Sequence, residues 1–170
     1  AGVLMGIRHT VVAVVGATLA CPGLAVAQLP GVGVPDRPFV VIGRRDLRFG
    51  TVLPGIPTSI PHNHPRFSGE FEVQGTAGAS VRVELLLPAN LAASGGALLP
   101  ISFAGGDGSH DFPHGLPHRT EFDPHLPVVA GLGPNGKLHV WLGGTVFPAA
   151  AQTSGTYVAT IAITVFNLGI

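Results

Sequence analysis

The stretch TYVATIAITVFNL, residues 156–168, decides the fold class because it is long and contains neither glycine nor proline. Apolar residues recur at every second position from Tyr157 to Val165, which is the periodicity of a β-strand. The alternate positions are apolar in part as well, so the strand is either central or covered by a further segment. We predict that Ile161 and Ile163 lie in the middle of the core.

Shorter segments with strand character precede this one at regular spacing and are separated by glycine- and proline-rich turns. Asn135 and Gly136 predict a tight hairpin before residues 138–142, and only residues 89–93 could form a turn of helix. The pattern predicts an all-β protein, an immunoglobulin-like antiparallel β-sandwich that spans residues 39–170. The remaining predicted strands are 39–42, 46–50, 67–74, 81–85 and 98–103.

The first 27 residues have the features of a signal peptide. Arg8 follows Met5, residues 11–20 form an uncharged apolar run, and Ala25 and Ala27 provide the small residues that precede a cleavage site. We therefore predict cleavage before Gln28 and a protein that is secreted through the periplasm to the cell surface or beyond. Acylation at Cys21, as in a lipoprotein, is the alternative.

Composition limits the classes of partner. Removal of residues 1–27 leaves 143 residues, with eight Lys or Arg and nine Asp or Glu. Such a chain cannot assemble the basic surface that nucleic acid requires, and it has no further segment apolar enough to span a membrane. Cys21 is the only cysteine, so its removal leaves a mature chain without cysteine and therefore without a disulfide.

Residues 28–38, QLPGVGVPDRP, are predicted to form an extended leader.

Four motifs occur in a recognisable order. They are LRFGTVLPG at 47–55, FEVQG at 71–75 followed by residues 81–88 that end in LLLP, LHVWLGGT at 138–145, and QTSGTYVATIAITV at 152–165. Together they resemble a secreted bacterial family of unknown function that is similar to spore-coat-protein-U-like and chaperone–usher pilus subunits. The resemblance implies an immunoglobulin-like, pilin-like domain with a structural role in a cell-surface or fimbria-like assembly. It implies self-association or other surface subunits as partners, with a periplasmic chaperone among the candidates, and it supplies no catalytic residue. The usual pilin disulfide is absent.

If such subunits exchange strands, residues 157–166 are the predicted acceptor because both faces of this strand need cover. The predicted donor is in residues 29–42. Prolines at 30, 35 and 38 count against it, since each removes one donor from a strand ladder.

A histidine-rich stretch, residues 110–125, is the sharpest chemical feature. We interpret it as a solvated loop between strands, because its spacing matches no established metal motif and its prolines keep it extended. The alternative is a metal site for zinc, copper or nickel in a monomeric periplasmic or extracellular binding module. The candidate ligands are His110, His114, His118 and His125, to which His62 and His64 could add.

Catalysis finds little support in the sequence, and we predict neither an enzyme nor a cofactor. No Gly-x-Ser-x-Gly motif is present. Glu70, Glu72 and Glu84 alternate with apolar residues, so we expect them on solvated strand faces. Trp141 is expected in the core, and the hydroxyl of Tyr157 is expected to bond a neighbouring backbone group.

Overall fold

The computed structural model describes residues 3–5, 8–11, 38–112 and 119–169 of the chain, and for residues 3–5 and 8–11 only the backbone pairing is considered. Strands and turns account for the structure in these ranges, which contain no helix and therefore no helix that could cross a membrane. The strands are β1 (Val3–Met5), β2 (Arg8–Val11), β3 (Val40–Arg45), β4 (Gly50–Val52), β5 (Thr58–Ile60), β6 (Gly69–Gln74), β7 (Ser80–Leu86), β8 (Asn90–Ala93), β9 (Leu98–Ser102), β10 (Gly108–Asp111), β11 (Thr120–Phe122), β12 (Val128–Gly131), β13 (Lys137–Leu142), β14 (Gly144–Val146), β15 (Tyr157–Val158) and β16 (Thr160–Gly169).

The described strands form three sheets. Their orders are β4-β1-β15-β8-β9-β14-β5, β11-β10-β13-β6-β3 and β12-β7-β16-β2. Neighbouring strands are antiparallel, except where β1 pairs with β15 and β2 pairs with β16. The predicted all-β class is confirmed, and the arrangement is consistent with a β-sandwich.

Inward side chains from all three sheets meet in one hydrophobic core. Ile161 and Ile163 have no exposed surface, and Val165 is buried beside them. The register that places this stripe inward is confirmed. The long predicted strand is interrupted at Ala159, so that β15 belongs to one sheet and β16 to another.

Three local predictions are wrong. Residues 46–49 are not a strand, although Leu47 and Phe49 are buried. Residues 90–93 form strand β8 instead of a turn of helix, because they pair with β9. The Asn135-Gly136 turn exists, with Gly136 at φ +71°, but it is no hairpin: the strand before it, β12, pairs with β7, whereas β13 pairs with β6 and β10.

Candidate assembly seam and polar face

The edge of β15 is covered by the most N-terminal described strand. Strand β1 lies between β4 and β15, antiparallel to the first and parallel to the second. Val3 is opposite Val52, and Met5 is opposite both Gly50 and Tyr157. Among the described strands, β4 is therefore linked to the rest of its sheet through β1 alone.

The edge of β16 is covered in the same manner. Strand β2 runs parallel to β16, with Arg8 opposite Thr160 and Val11 opposite Ile163. On its other side β16 pairs with β7 along most of its length. We call the two positions occupied by β1, between β4 and β15, and by β2, along the edge of β16, the seam.

The predicted strand donor, residues 29–42, lies only in part within the described residues. Val40–Arg45 forms β3, which is antiparallel to β6, with Val40 opposite Gln74 and Ile42 opposite Glu72. The last residues of the predicted donor are therefore committed to the chain's own fold. Residues 28–37 of the predicted leader, and residues 12–27 of the predicted signal peptide, lie outside the described residues.

Tyr157 lies in β15, opposite Met5 of β1, and the hydrogen bond predicted for its hydroxyl is confirmed. The hydroxyl donates to the carbonyl of Thr153 at 2.8 Å and accepts from Nε2 of Gln152 at 2.6 Å. The same Nε2 lies 3.1 Å from the carbonyl oxygen of Leu98 in β9. These bonds hold the beginning of β15 in a defined position, because the tyrosine ring is itself fully buried.

The four predicted metal ligands are only partly described. His110 is half-buried in β10, and its ring centroid is 6.0 Å from that of Phe122. Burial lowers the pKa of His110 below its usual value, and the nearby Asp111 carboxylate offsets only part of this shift. Nε2 of His125 lies 3.0 Å from the carbonyl oxygen of Phe103. His114 and His118 lie outside the described residues.

The two further histidines have other partners. Nε2 of His62 is 3.3 Å from the Glu121 carboxylate, and Nδ1 of His64 accepts bonds from the amides of Arg66 and Phe67. Within the described ranges no three His, Cys, Asp or Glu side chains converge on a possible metal position. The metal site remains a prediction, because two of its four predicted ligands, His114 and His118, lie in residues 113–118, outside the described residues.

The outer side of the sheet β11-β10-β13-β6-β3, which we call the polar face, is not solvated as the alternation predicts. Glu70 and Glu72 retain only 8% and 3% of their surface. The prediction is wrong for these two because long basic side chains from neighbouring strands lie over them. It is right for Glu84, whose side chain is 38% exposed.

Glu72 connects three strands. Its carboxylate lies 2.6 Å from Nη2 of Arg44 in β3 and 2.9 Å from Nζ of Lys137 in β13, and it accepts a bond from Gln74. Burial raises the pKa of Glu72, but the hydrogen bonds from Lys137, Gln74 and Arg44 outweigh it and lower the pKa to about 2. The carboxylate therefore stays ionised at neutral pH and ties β3 to β6 and β13.

Glu70 is held by a second set of groups. Nη2 of Arg45 is 3.2 Å away and Nδ1 of His139 is 3.3 Å away. Arg45 also donates to the carbonyls of Pro65 and Ser68. The end of β3 is thus attached to the loop that precedes β6.

Trp141 is buried, as predicted, but on the outer side of its sheet. Its neighbours Val140 and Leu142 point into the core, whereas Trp141 stacks on His139 with ring centroids 5.6 Å apart. The guanidinium of Arg119 covers the ring at 3.7 Å, a favourable cation–π contact. Burial lowers the pKa of Arg119, and the Glu70 and Asp111 carboxylates oppose that shift.

Sequence reasoning missed the partners of these buried groups. The alternation of Lys137 and His139 with apolar residues on β13 was a usable signal, because charged pairs opposite one another stabilise a sheet. Finding them required the register that places His139 opposite Glu72 and Trp141 opposite Glu70.

The sequence matches no protein-family model and no curated protein.

Proposed function

We propose that this protein is an exported, non-catalytic structural subunit that assembles with further copies of itself at the cell surface. The observation that carries the proposal is the seam. Its occupants, β1 and β2, belong to the predicted signal peptide, so cleavage before Gln28 removes both. Each of β4, β15 and β16 then loses a pairing partner.

Such an open edge is unfavourable for a solitary subunit. Unpaired backbone groups along a strand template the addition of another strand, and strand addition is a general mode of recognition. The edge of β16 is long, and its inward side chains belong to the core. A strand from a second copy would restore the pairing that β2 provides.

The leader of another copy is the proposed occupant. Because residues 40–45 are committed to β3, the donor narrows to residues 28–37. Between the prolines at 30 and 35 lies GVGV, residues 31–34, which matches the four residues of β2 in length. Every backbone amide of this stretch can pair, which is not true of the prolines beside it.

The motif resemblance supports the same reading. It favours an immunoglobulin-like, pilin-like sandwich with a role in a fimbria-like structure, and a periplasmic chaperone that covers the open edge in transit. Residues 138–170 contain no Asp, Glu, Lys or Arg. This composition suits a buried position in an assembly better than prolonged contact with water.

The proposal is tested with residues 28–170 and a synthetic peptide of residues 1–11. Sedimentation velocity is expected to show a ladder of oligomers for residues 28–170 alone. Saturating peptide is expected to refill the seam and to collapse the ladder, whereas a peptide with proline in place of both His9 and Thr10 is expected to have no effect. A profile that is the same with and without the peptide, or a single monomeric species throughout, would overturn the proposal.

A further inference from the structure

A cleft at the end of β3 gathers half of the basic side chains of residues 28–170. It has a volume of about 360 Å³ and is lined by Gly43, Arg44, Arg45, Asp46, Arg48 and Arg66. Residues 28–170 contain eight Lys or Arg against nine Asp or Glu. Four arginines beside one aspartate in a single cleft are therefore a local excess of positive charge in a chain that is nearly neutral. We call this cleft the arginine cleft.

Arg45 builds the arginine cleft and has few donors left for a ligand. Its Nη1 donates to the carbonyl of Pro65 at 2.7 Å, and its Nε donates to the carbonyl of Ser68 at 2.8 Å. Its Nη2 lies 3.2 Å from the Glu70 carboxylate. These bonds fasten the end of β3 to the loop that carries Arg66.

The loop that carries Arg66 has a defined conformation. Nδ1 of His64 accepts hydrogen bonds from the amides of Arg66 and Phe67, and the hydroxyl of Ser68 donates to the carbonyl of His64 at 2.7 Å. From the segment after β3, the amide of Arg48 donates to the carbonyl of Phe67 at 2.8 Å. The backbones that carry Arg48 and Arg66 are therefore held next to each other.

Three of the four arginines keep donors that the fold does not use. Nε and Nη2 of Arg44 bind Glu72, which leaves its Nη1. Nη2 of Arg48 lies 3.5 Å from the Asp46 carboxylate, and the Arg48 side chain is 59% exposed. Arg66 is exposed, and its guanidinium has no hydrogen-bond or ion-pair partner among the described residues. Open N–H groups of three guanidinium ions thus line one cleft.

The charges of these arginines are only partly offset within the fold. Glu72 is shared between Arg44 and Lys137, and Asp46 is the one acidic side chain in the lining. Like charges held close together repel each other, and an anion between them removes that repulsion. The same anion forms charge-assisted hydrogen bonds, which are shorter and stronger than neutral ones. The arginine cleft is therefore preorganised for an anion.

The number of open donors indicates which anion fits. A guanidinium matches the oxygens of both carboxylate and phosphate groups. A carboxylate has one charge and two oxygens, whereas a phosphate monoester has up to two charges and three strong acceptor oxygens. Three guanidinium groups in one cleft match the phosphate monoester better.

The lining also indicates what carries the phosphate. The cleft volume is within the range of small-molecule sites, about 300–1,000 Å³, so there is room beyond the phosphate group. The lining contains no apolar side chain that could hold an acyl chain, and the 34% exposed Asp46 carboxylate can accept a bond from a hydroxyl. We propose that the arginine cleft binds a phosphorylated saccharide, with the phosphate on Arg44, Arg48 and Arg66 and a sugar hydroxyl on Asp46.

The test uses residues 1–170, in which β1 and β2 fill the seam, so the result is independent of assembly. Isothermal titration calorimetry measures the binding of glucose 6-phosphate, with glucose, glucuronate and inorganic phosphate as matched probes that each lack one part of it. We expect a dissociation constant of about 1 mM or tighter for glucose 6-phosphate. The three other probes are expected to bind about tenfold more weakly or not at all, because each loses the phosphate or the sugar contacts.

Two variants locate the binding. Arg66→Gln removes a guanidinium that the described fold does not use, and it is expected to raise the dissociation constant about tenfold with an unchanged Tm. The control, Arg82→Gln, alters a 43% exposed arginine on β7 outside the cleft and is expected to bind like the wild type. Added salt is expected to weaken binding by screening the charges.

Three results would overturn the proposal: no binding of glucose 6-phosphate, equal dissociation constants for the two variants, or glucuronate that binds as tightly as glucose 6-phosphate. Inorganic phosphate that binds as tightly as glucose 6-phosphate would overturn the assignment of a saccharide. The proposed assembly is unaffected by any of these results, because the peptide-sensitive ladder of residues 28–170 tests the seam by itself.

Discussion

Replacing Ile161 and Ile163 together by alanine is expected to unfold the protein. Both side chains are fully buried in β16, and each truncation is expected to cost about 2–5 kcal/mol through lost apolar contact and the cavity left behind. A domain of this size has a stability of about 5–15 kcal/mol, so the pair removes most or all of it. Circular dichroism and urea denaturation measure the loss.

The matched control lies on the same strand. Thr160 is exposed and Thr164 is half-buried, on the opposite face from the isoleucines. Their joint replacement by alanine is expected to cost about 1 kcal/mol or less, as is usual for surface positions. A severe threonine pair beside a mild isoleucine pair would contradict the register described for β16.

Replacing Glu72 by alanine is expected to give the second-largest loss, about 1–3 kcal/mol at pH 7. The variant leaves Arg44 and Lys137 without the carboxylate that joins their strands and removes charge-assisted bonds from a buried position. Arg44 and Lys137 are themselves partly exposed, so water recovers part of the loss. Urea denaturation of both proteins measures the difference in the free energy of unfolding.

Glu84→Ala is the control, because Glu84 forms an exposed pair with Arg82 at 3.0 Å. Such a pair is worth about 0–1 kcal/mol. Losses of equal size in the two variants would show that burial of Glu72 has no energetic consequence and would contradict the account of the polar face.

The contribution of Glu72 also has a defined pH dependence. Its pKa in the folded protein is about 2, below the ordinary value of 4.5, so the folded state binds fewer protons than the unfolded state between these values. The stabilisation is therefore fully present above about pH 4.5 and disappears as the pH falls toward 2. The difference between wild type and Glu72→Ala is expected to shrink over this range, and a difference that stays constant would exclude ionic stabilisation.

The fold class was predictable because alternation on a strand reports which side chains are inward. Ile161, Ile163, Phe71 and Val73 are all buried as their spacing indicates. Local patterns misled where pairing decided the outcome. Residues 90–93 have weak helical character, and their strand conformation depends on β9; the Asn135-Gly136 turn joins strands whose partners lie elsewhere.

The polar face shows a different limit. Alternation placed Glu70 and Glu72 on the side opposite the core, and that side is correct. Whether that side is exposed to solvent depends on which side chains cover it. Here the covering residues Arg44, Arg45 and Lys137 come from strands distant in sequence, so a local pattern does not reveal them. The seam could not be predicted either, because no local pattern indicates that residues 3–5 and 8–11 pair with β4, β15 and β16.

The exposed edge of β16 can be measured directly by hydrogen–deuterium exchange of residues 28–170, followed at residues 160–163, which pair with β2 in the structure. Backbone amides alternate between the two sides of a strand, and β16 is also paired with β7 at Ala162 and Ile163. We therefore expect the amides that point toward β2 to exchange rapidly in dilute, dissociated protein. Protection is expected to rise at concentrations where oligomers form, and to rise equally when the peptide of residues 1–11 is added. Strong protection of the amides on the β2 side in the dissociated protein without peptide would show that the edge is already covered and would contradict strand addition at the seam.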